Sequence, residues 1–394
     1  MSRMEKKRSA SIVWFLSIGL FVLSLCGTHA LWAVDPDIPH IQAGAERGSI
    51  QQEIELGNAY LVGRGVARDE KQAAYWYEKA ANSGDPVAQE QIGYFYQVGF
   101  GVKRDPFRAV QWFERAVAGG LVTAKVNLGV AYLWGSGVQK DPGFAAQLFR
   151  EAAQKGSGLG ACYLGNLYFS GLGVTKSASD ALHWFELGSR MHNVPAKFDL
   201  ALVLIQQPDL AGHQRAIRLL HESAAAGYVP AKHRLGLELI RTTDFSRSPN
   251  EGITLLEEAA TDGFWRSSIV LGILSRDGKG LAKDSSAAYY HFRVAALQGG
   301  EQASTLLTND FRALSSELNH GQIEALDQKA EVWAEKHNHS FEYVNLHGEY
   351  ANNAHSLALE YPEGDTHAGM LLAAPDTDGR PGGDDSLLKG ITNE

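Results

Sequence analysis

Two cysteines, Cys26 and Cys162, are all that this chain of 394 residues contains. That excludes a small fold stapled by several disulfides. If the first thirty residues are removed, Cys162 stands alone and has no internal partner. Positive charge is also in short supply, with 36 Lys and Arg against 45 Asp and Glu and a net charge of −9. Residues 1–30 hold four of the basic residues and one acid, so the remainder carries −12. An acidic body is a poor match for DNA or an anionic lipid surface. The one marked apolar run, Ile12 to Leu25, is too short for a comfortable membrane span. No H-E-x-x-H, C-x-x-C, P-loop or G-x-S-x-G is present, which leaves zincin, dithiol, nucleotide and serine-hydrolase chemistry without their usual supports.

What the chain has in abundance is glycine, 42 residues, placed periodically. Leu56-Gly57, Ile92-Gly93, Leu128-Gly129 and Leu164-Gly165 recur every 36 residues. A fixed period of that size means stacked supersecondary units. The unit reads as two short helices. Asp85-Pro86 starts the first, with Asp capping free N–H groups and Pro supplying a helical φ where no N–H is needed. Ala88, Ile92 and Tyr96 share one face. Gly93 lets a neighbouring helix approach closely, and Gly99 and Gly101 break the helix with positive φ. Asp105-Pro106 starts the second helix, whose stripe is Ala109, Trp112, Phe113 and Ala116. Trp76, Tyr77, Trp112, Phe113, Trp184 and Phe185, set among alanines at helical spacing, are expected in the core.

The pattern A-x-x-x-[LI]-G-x-x-Y-x-x-G-x-G-V-x-x-D-x-x-x-A-x-x-W-[YF]-x-x-A resembles the Sel1-like repeat, a relative of the tetratricopeptide repeat. Gly63, Gly65, Val66, Asp69, Ala73, Trp76 and Ala80 fill it in the first copy. Gly135, Gly137, Val138, Asp141, Ala145 and Ala152 fill it in the third, with Leu148 in place of Trp. Ser177 replaces the capping Asp in the fourth copy. Copies five and six lose the glycine loop, with turns at Gln207-Pro208-Asp209 and through Thr243 to Pro249. Copy seven returns to form with Leu271-Gly272, Gly278, Gly280, Asp284, Ala288 and Ala295. The resemblance implies an all-α fold, an α-solenoid of about seven Sel1-like helix-turn-helix repeats. It implies a non-enzymatic scaffold for a protein or peptide partner, with no cofactor and no nucleic acid.

The expected organisation is a signal peptide or N-terminal anchor over 1–30, a repeat array over 43–308, C-terminal capping helices over 309–340, and an acidic, largely disordered tail over 341–394. Arg3, Lys6, Lys7 and Arg8 precede the apolar run, and Thr28-His29-Ala30 offers a cleavage site. An uncleaved anchor or a lipoprotein at Cys26 are the alternatives. All three export the chain, to the periplasm or beyond. Asn319 and Gln322 form a capping-box pattern ahead of Ile323, Leu326, Ala330 and Trp333. In the tail, Leu371 to Ala374 is an apolar island.

In the related tetratricopeptide arrays the first helix of each unit lines a groove. On that geometry Asn58, Tyr94, Gln97, Val130, Leu133, Trp134, Asn166 and Phe169, with Leu61, form a protein-binding row. The opposing reading is that tight packing buries most of it. Some relatives have been discussed as penicillin-binding or β-lactamase-like, yet Ser386-x-x-Lys389 is the sole S-x-x-K and lies in the tail. An envelope hydrolase would need two acids or a Ser/Lys pair converging from neighbouring repeats, and Glu90 is the groove-facing acid that stands as a candidate. A structural spacer recruiting through its tail is a third possibility. His183, His192, His213, His221 and His233 are scattered, and read as polar surface rather than a metal site.

Overall fold

The computed structural model describes the backbone of residues 36–206, 210–241 and 249–346, and the side chains of these residues except 241, 249 and 338–346. The expected signal segment, residues 347–394 of the tail with its island and S-x-x-K, and the turns at 207–209 and 242–248 lie outside the described residues. Among the described residues are seventeen α-helices and no strand. They fall into two units divided between Lys140 and Asp141.

The first unit holds α1 (Ile38–Glu46), α2 (Ile50–Val62), α3 (Glu70–Asn82), α4 (Pro86–Val98), α5 (Pro106–Ala118) and α6 (Val122–Trp134). The starts expected from sequence are formed. Asp85 accepts from the Ala88 N–H at 2.7 Å and Asp105 from the Arg108 N–H at 3.1 Å. Gly99 ends α4 in the left-handed region at φ 85°. Gly93 lies against Phe113 of α5, and an added Cβ would stand 2.7 Å from that ring. Gly101 has a different duty. A Cβ there would sit 2.0 Å from the backbone oxygen of Glu70, at the start of the preceding repeat's second helix. One glycine thus closes the helix pair and another closes the contact between successive repeats.

The helix α1 is the end of an incomplete repeat. Ala45, Gly48 and Ser49 stand 36 residues before Ala81, Gly84 and Asp85. Ile41 and Ala45 bury against Leu56 and Trp76 and so cover the first helix pair. Gln89 of α4 donates to the Ala81 carbonyl at 3.2 Å. At the matching place in the first copy stands Glu53, an acceptor, so Lys79 reaches in to contact both Glu53 and the Ala45 carbonyl, each at 3.5 Å.

The second unit runs through α7 (Pro142–Gln154), α8 (Gly158–Ser170), α9 (Ala178–Arg190), α10 (Val194–Ile205), α11 (Leu210–Ala225), α12 (Val229–Arg241), α13 (Pro249–Thr261), α14 (Trp265–Asp277), α15 (Ser285–Leu306), α16 (Thr308–Glu317) and α17 (His320–Leu346). Gly165 and Gly272 repeat the Gly93 contact, against Phe185 and Phe292. One core cluster gathers Phe185, Phe198, Leu200 and Leu220, and another Leu256, Leu271, Leu274 and Phe292. Of the aromatics expected in the core, Trp76, Tyr77, Trp112, Phe113 and Phe185 are buried. Trp184 is only half-buried. Its helix buries Ala181, Phe185 and Gly188, a stripe that turns Trp184 toward the edge, where its ring meets His183 edge-on. The expected C-terminal cap consists of two helices separated by Leu318 and Asn319. Asn319 and Gln322 form a reciprocal capping box, with bonds of 2.9 and 3.0 Å, and α17 runs on to Leu346.

Candidate functional site

The first helices of the repeats supply the row singled out from sequence, and each unit carries part of it. In the first unit these are α2, α4 and α6. Asn58 is exposed, and its side-chain oxygen accepts from the Tyr77 hydroxyl at 2.6 Å. Burial pushes that phenol up from its ordinary range, with the charge of Asp85 adding to the effect. Tyr94, Gln97, Val130 and Leu133 are buried. Gln97 donates to the Ser136 hydroxyl at 2.7 Å, tying α4 to the loop after α6. Trp134 is half-exposed, and the Lys140 ammonium lies 5.9 Å from its ring centre. In the second unit Asn166 is buried on α8 and Phe169 is half-exposed at the end of the same helix.

Packing explains this division. Within each unit a first helix touches its own second helix on one side and the second helix of the repeat before it on another, and side chains of successive first helices meet as well. Positions one and four after the Leu-Gly glycine therefore lose most of their surface to neighbours. Asn58, Trp134 and Phe169 retain the solvent-accessible part of the row.

Glu90 on α4 is held rather than free. Its carboxylate accepts from the Thr123 hydroxyl and from the Asn127 amide, both on α6, each at 2.8 Å. Burial raises its pKa, and the Thr123 hydrogen bond pulls partly the other way. Its hydrogen-bond donors are thus a hydroxyl and an amide. Sequence reading singled out Glu90 but missed Thr123 and Asn127. The available signal was Asn127 itself, a polar residue inside the apolar run Val126 to Ala131.

The second unit carries a matching polar knot. Asp199 on α10, only 3% exposed, accepts from the Cys162 thiol at 3.2 Å and from the Asn166 amide at 2.9 Å. Burial first, and the charge of Asp199 second, push the Cys162 thiol well above its ordinary pKa. Cys162 is therefore a thiol, not a thiolate nucleophile, at neutral pH. His183, His192 and His221 are exposed, and His213 is half-buried. His233 is buried and 2.8 Å from the Ser267 hydroxyl. Among the described residues no three His, Cys, Asp or Glu side chains group so as to hold a metal ion.

Helix pairs recurring every 36 residues, capped alike and joined through glycine–aromatic contacts, define an α-solenoid repeat protein. The Sel1 repeat family model matches residues 53–85, 86–121, 122–157, 159–193 and 268–300, and the chain is a Sel1-like repeat protein. The unmatched stretch between the fourth and fifth matches is where the glycine loops are lost. Proteins of this family mediate protein–protein interaction in general and are generally non-catalytic. No curated protein matches the chain. Among solved structures it is similar to a Sel1 repeat protein from Oxalobacter formigenes, 24% identical with a TM-score of 0.55, covering 63% of this chain and 98% of the other. It is also similar to a protective antigen of uropathogenic Escherichia coli strains displaying an SLR fold. That pair shares 23% identity and a TM-score of 0.45, over 83% of this chain and 75% of the other. These likenesses concern the fold. No helix among the described residues is long and apolar enough to cross a membrane.

Proposed function

We propose that this chain is a non-enzymatic scaffold of the cell envelope or secretory compartment that holds a protein or peptide on its first-helix row, Asn58, Tyr94, Gln97, Val130, Leu133, Trp134, Asn166 and Phe169. The observation that carries the reading is how the row spends its polar groups. Glu90 accepts from Thr123 and Asn127, and Gln97 donates to Ser136. Such groups fix a rigid framework and are not poised for chemistry. Asn58 in the first unit's first repeat, Trp134 at the end of α6 and Phe169 at the end of α8 then stand as contact residues on that framework. Half-exposed aromatics on a rigid support lose little entropy on binding, which makes them good anchors. The buried members act by holding Asn58 and Trp134 in place within the first unit and Phe169 within the second. The basic start and apolar run within residues 1–30 support export.

The test is crosslinking and co-purification of the tagged chain from its own cells beside an Asn58→Ala/Trp134→Ala/Phe169→Ala variant. A discrete partner captured by the parent and lost by the variant supports the reading. Equal capture by both, with the variant folded, overturns the assignment of the row.

A further inference from the structure

The C-terminal helices α16 and α17 cover the last repeat through contacts that are segregated by charge. The acids lie on the cap and their partners on the repeat. Asp310 of α16 pairs with Arg276 of α14. Glu317 accepts from the Ser285 hydroxyl at the start of α15. On α17, Asp327 meets Arg293 at 3.0 Å and the Tyr289 hydroxyl at 3.2 Å, and Glu331 lies 3.5 Å from the same guanidinium. Lys329 adds one contact of the other kind, its ammonium 4.3 Å above the Tyr290 ring. Burial, together with the Lys329 charge, lowers the pKa of His291 to about 4. His291 is thus neutral at pH 7 and leaves Arg293 as the cation that α17 meets.

The apolar part of this contact rests on few large side chains of α17, with Ala330 and Ala334 both buried in it. Ile323 and Leu326 are partly buried against the core, and Ala330 and Ala334 are small. Trp333, the largest apolar side chain in the described part of α17, stacks on His337 of its own helix, with ring centres 4.2 Å apart. By contrast α14 and α15 close on each other through Gly272 and Phe292. The polar groups of the α17 contact are 32% exposed at Arg293, 33% at Asp327 and 58% at Glu331. Ion pairs so exposed are individually weak and are screened by salt. Only Leu318 and Asn319 separate α16 from α17, so α17 can leave as one body by rotation at that joint.

We propose that the face of α15 carrying Tyr289, Tyr290 and Arg293 is a receptor for an acidic amphipathic helix, and that α17 is its displaceable resting occupant. The partner's chemistry is read from the occupant: two apolar residues spaced as Ile323 and Leu326, acids spaced as Asp327 and Glu331, and small residues at the places of Ala330 and Ala334. Helix-in-groove recognition of this kind uses such i, i+3, i+4 and i+7 anchors. The surface is separate from the first-helix row, so either assignment can fail without the other.

The probe is a dye-labelled peptide of residues 319–337, titrated by fluorescence anisotropy with the full chain at about 0.05 M salt. In the parent the tethered α17 competes at an effective concentration on the order of millimolar, so the peptide binds weakly. In an Asp327→Lys/Glu331→Lys chain the tethered helix is repelled. Its amides should exchange hydrogen faster, and the peptide should bind at least about tenfold tighter, a gain that shrinks at about 0.5 M salt. Faster exchange without tighter binding overturns the receptor, and unchanged exchange overturns the latch. Should that variant fold poorly, an Arg293→Glu chain decides. It should prefer a peptide carrying Asp327→Lys and Glu331→Lys over the parent peptide by about tenfold or more. Equal binding of the two peptides, or none, overturns the proposal.

Discussion

Glu90 with Asn127 and Cys162 with Asp199 are the same two places in the repeat, two repeats apart. In each pair the residues are 37 apart and lie on successive first helices. The chemistry is inverted. In the first unit the earlier helix supplies the carboxylate and the later one the amide donor. In the second unit the later helix supplies the carboxylate, and the earlier one the thiol, with Asn166 as a further donor. The surroundings differ as well, since Glu90 keeps part of its surface and Asp199 is sealed. What the stack fixes is the meeting of those two positions. In these two pairs the meeting is made by one acceptor and at least one donor, with either helix bringing either, whereas Ile54 and Val126 fill the earlier position in other copies with apolar side chains.

The comparison can be broken most forcefully in the sealed knot. Asp199→Ala leaves the Cys162 thiol and the Asn166 amide buried without their acceptor, at an expected cost of about 3 kcal/mol. A urea titration should show the midpoint fall with an unchanged slope. A loss below about 1 kcal/mol would mean that the knot contributes little.

A second variant imposes the acid of one knot on the other. Asn127→Asp puts a carboxylate beside Glu90 and removes its amide donor. About 2 kcal/mol should be lost at pH 7. The loss should shrink in acid, where the two carboxyls share a proton. Thermal melts at pH 7 and pH 5 check both parts.

Glu90→Gln is the subtler change. Its folded-state pKa is raised, so the folded chain binds this proton more tightly than the unfolded chain does. That stabilisation is complete below the ordinary value of 4.5 and is lost as pH rises through the folded value. At pH 7 the parent lacks it, whereas Gln is neutral at every pH. The variant should therefore match or exceed the parent at pH 7, by about 0.5 kcal/mol, and the advantage should disappear below pH 4.5. An advantage that grows in acid would contradict the burial argument.

The smallest effect is kinetic. With its pKa raised by burial and by Asp199, Cys162 should react with a thiol reagent only as fast as the second unit opens. In a Cys26→Ser chain, reaction at the rate of a free exposed thiol would place Cys162 at the surface.

Much of the architecture was legible because it depends on residues that declare themselves. Asp85, Asp105 and Ser177 cap helices wherever they precede an apolar period, and the Leu-Gly pairs mark the crossing of two helices. Asn319 and Gln322 announced their capping box three residues apart. The knots were less legible. Glu90 does not indicate which residue of the next repeat it will meet, because that depends on how successive first helices are offset. Asp199 sits beside the Leu200-Ala201 that replaces Leu-Gly, in a copy where the motif has faded. The surface row showed the same limit. Spacing gave the side of the helix on which Tyr94, Gln97 and Leu133 lie, but the surface they retain is decided by neighbours a whole repeat away. Trp184 followed its stripe rather than its motif position.

That α4 and α6 are locked through this pair of positions is tested most directly by a double-mutant cycle. Urea unfolding at pH 7 would be measured for the parent, Asn127→Asp, Glu90→Gln and the double variant. If the two side chains meet, Glu90→Gln should restore most of what Asn127→Asp loses, since an amide then faces the new carboxylate, giving a coupling of about 1.5 kcal/mol. Additive effects, with a coupling below about 0.3 kcal/mol, would show that Glu90 and Asn127 do not lock α4 to α6.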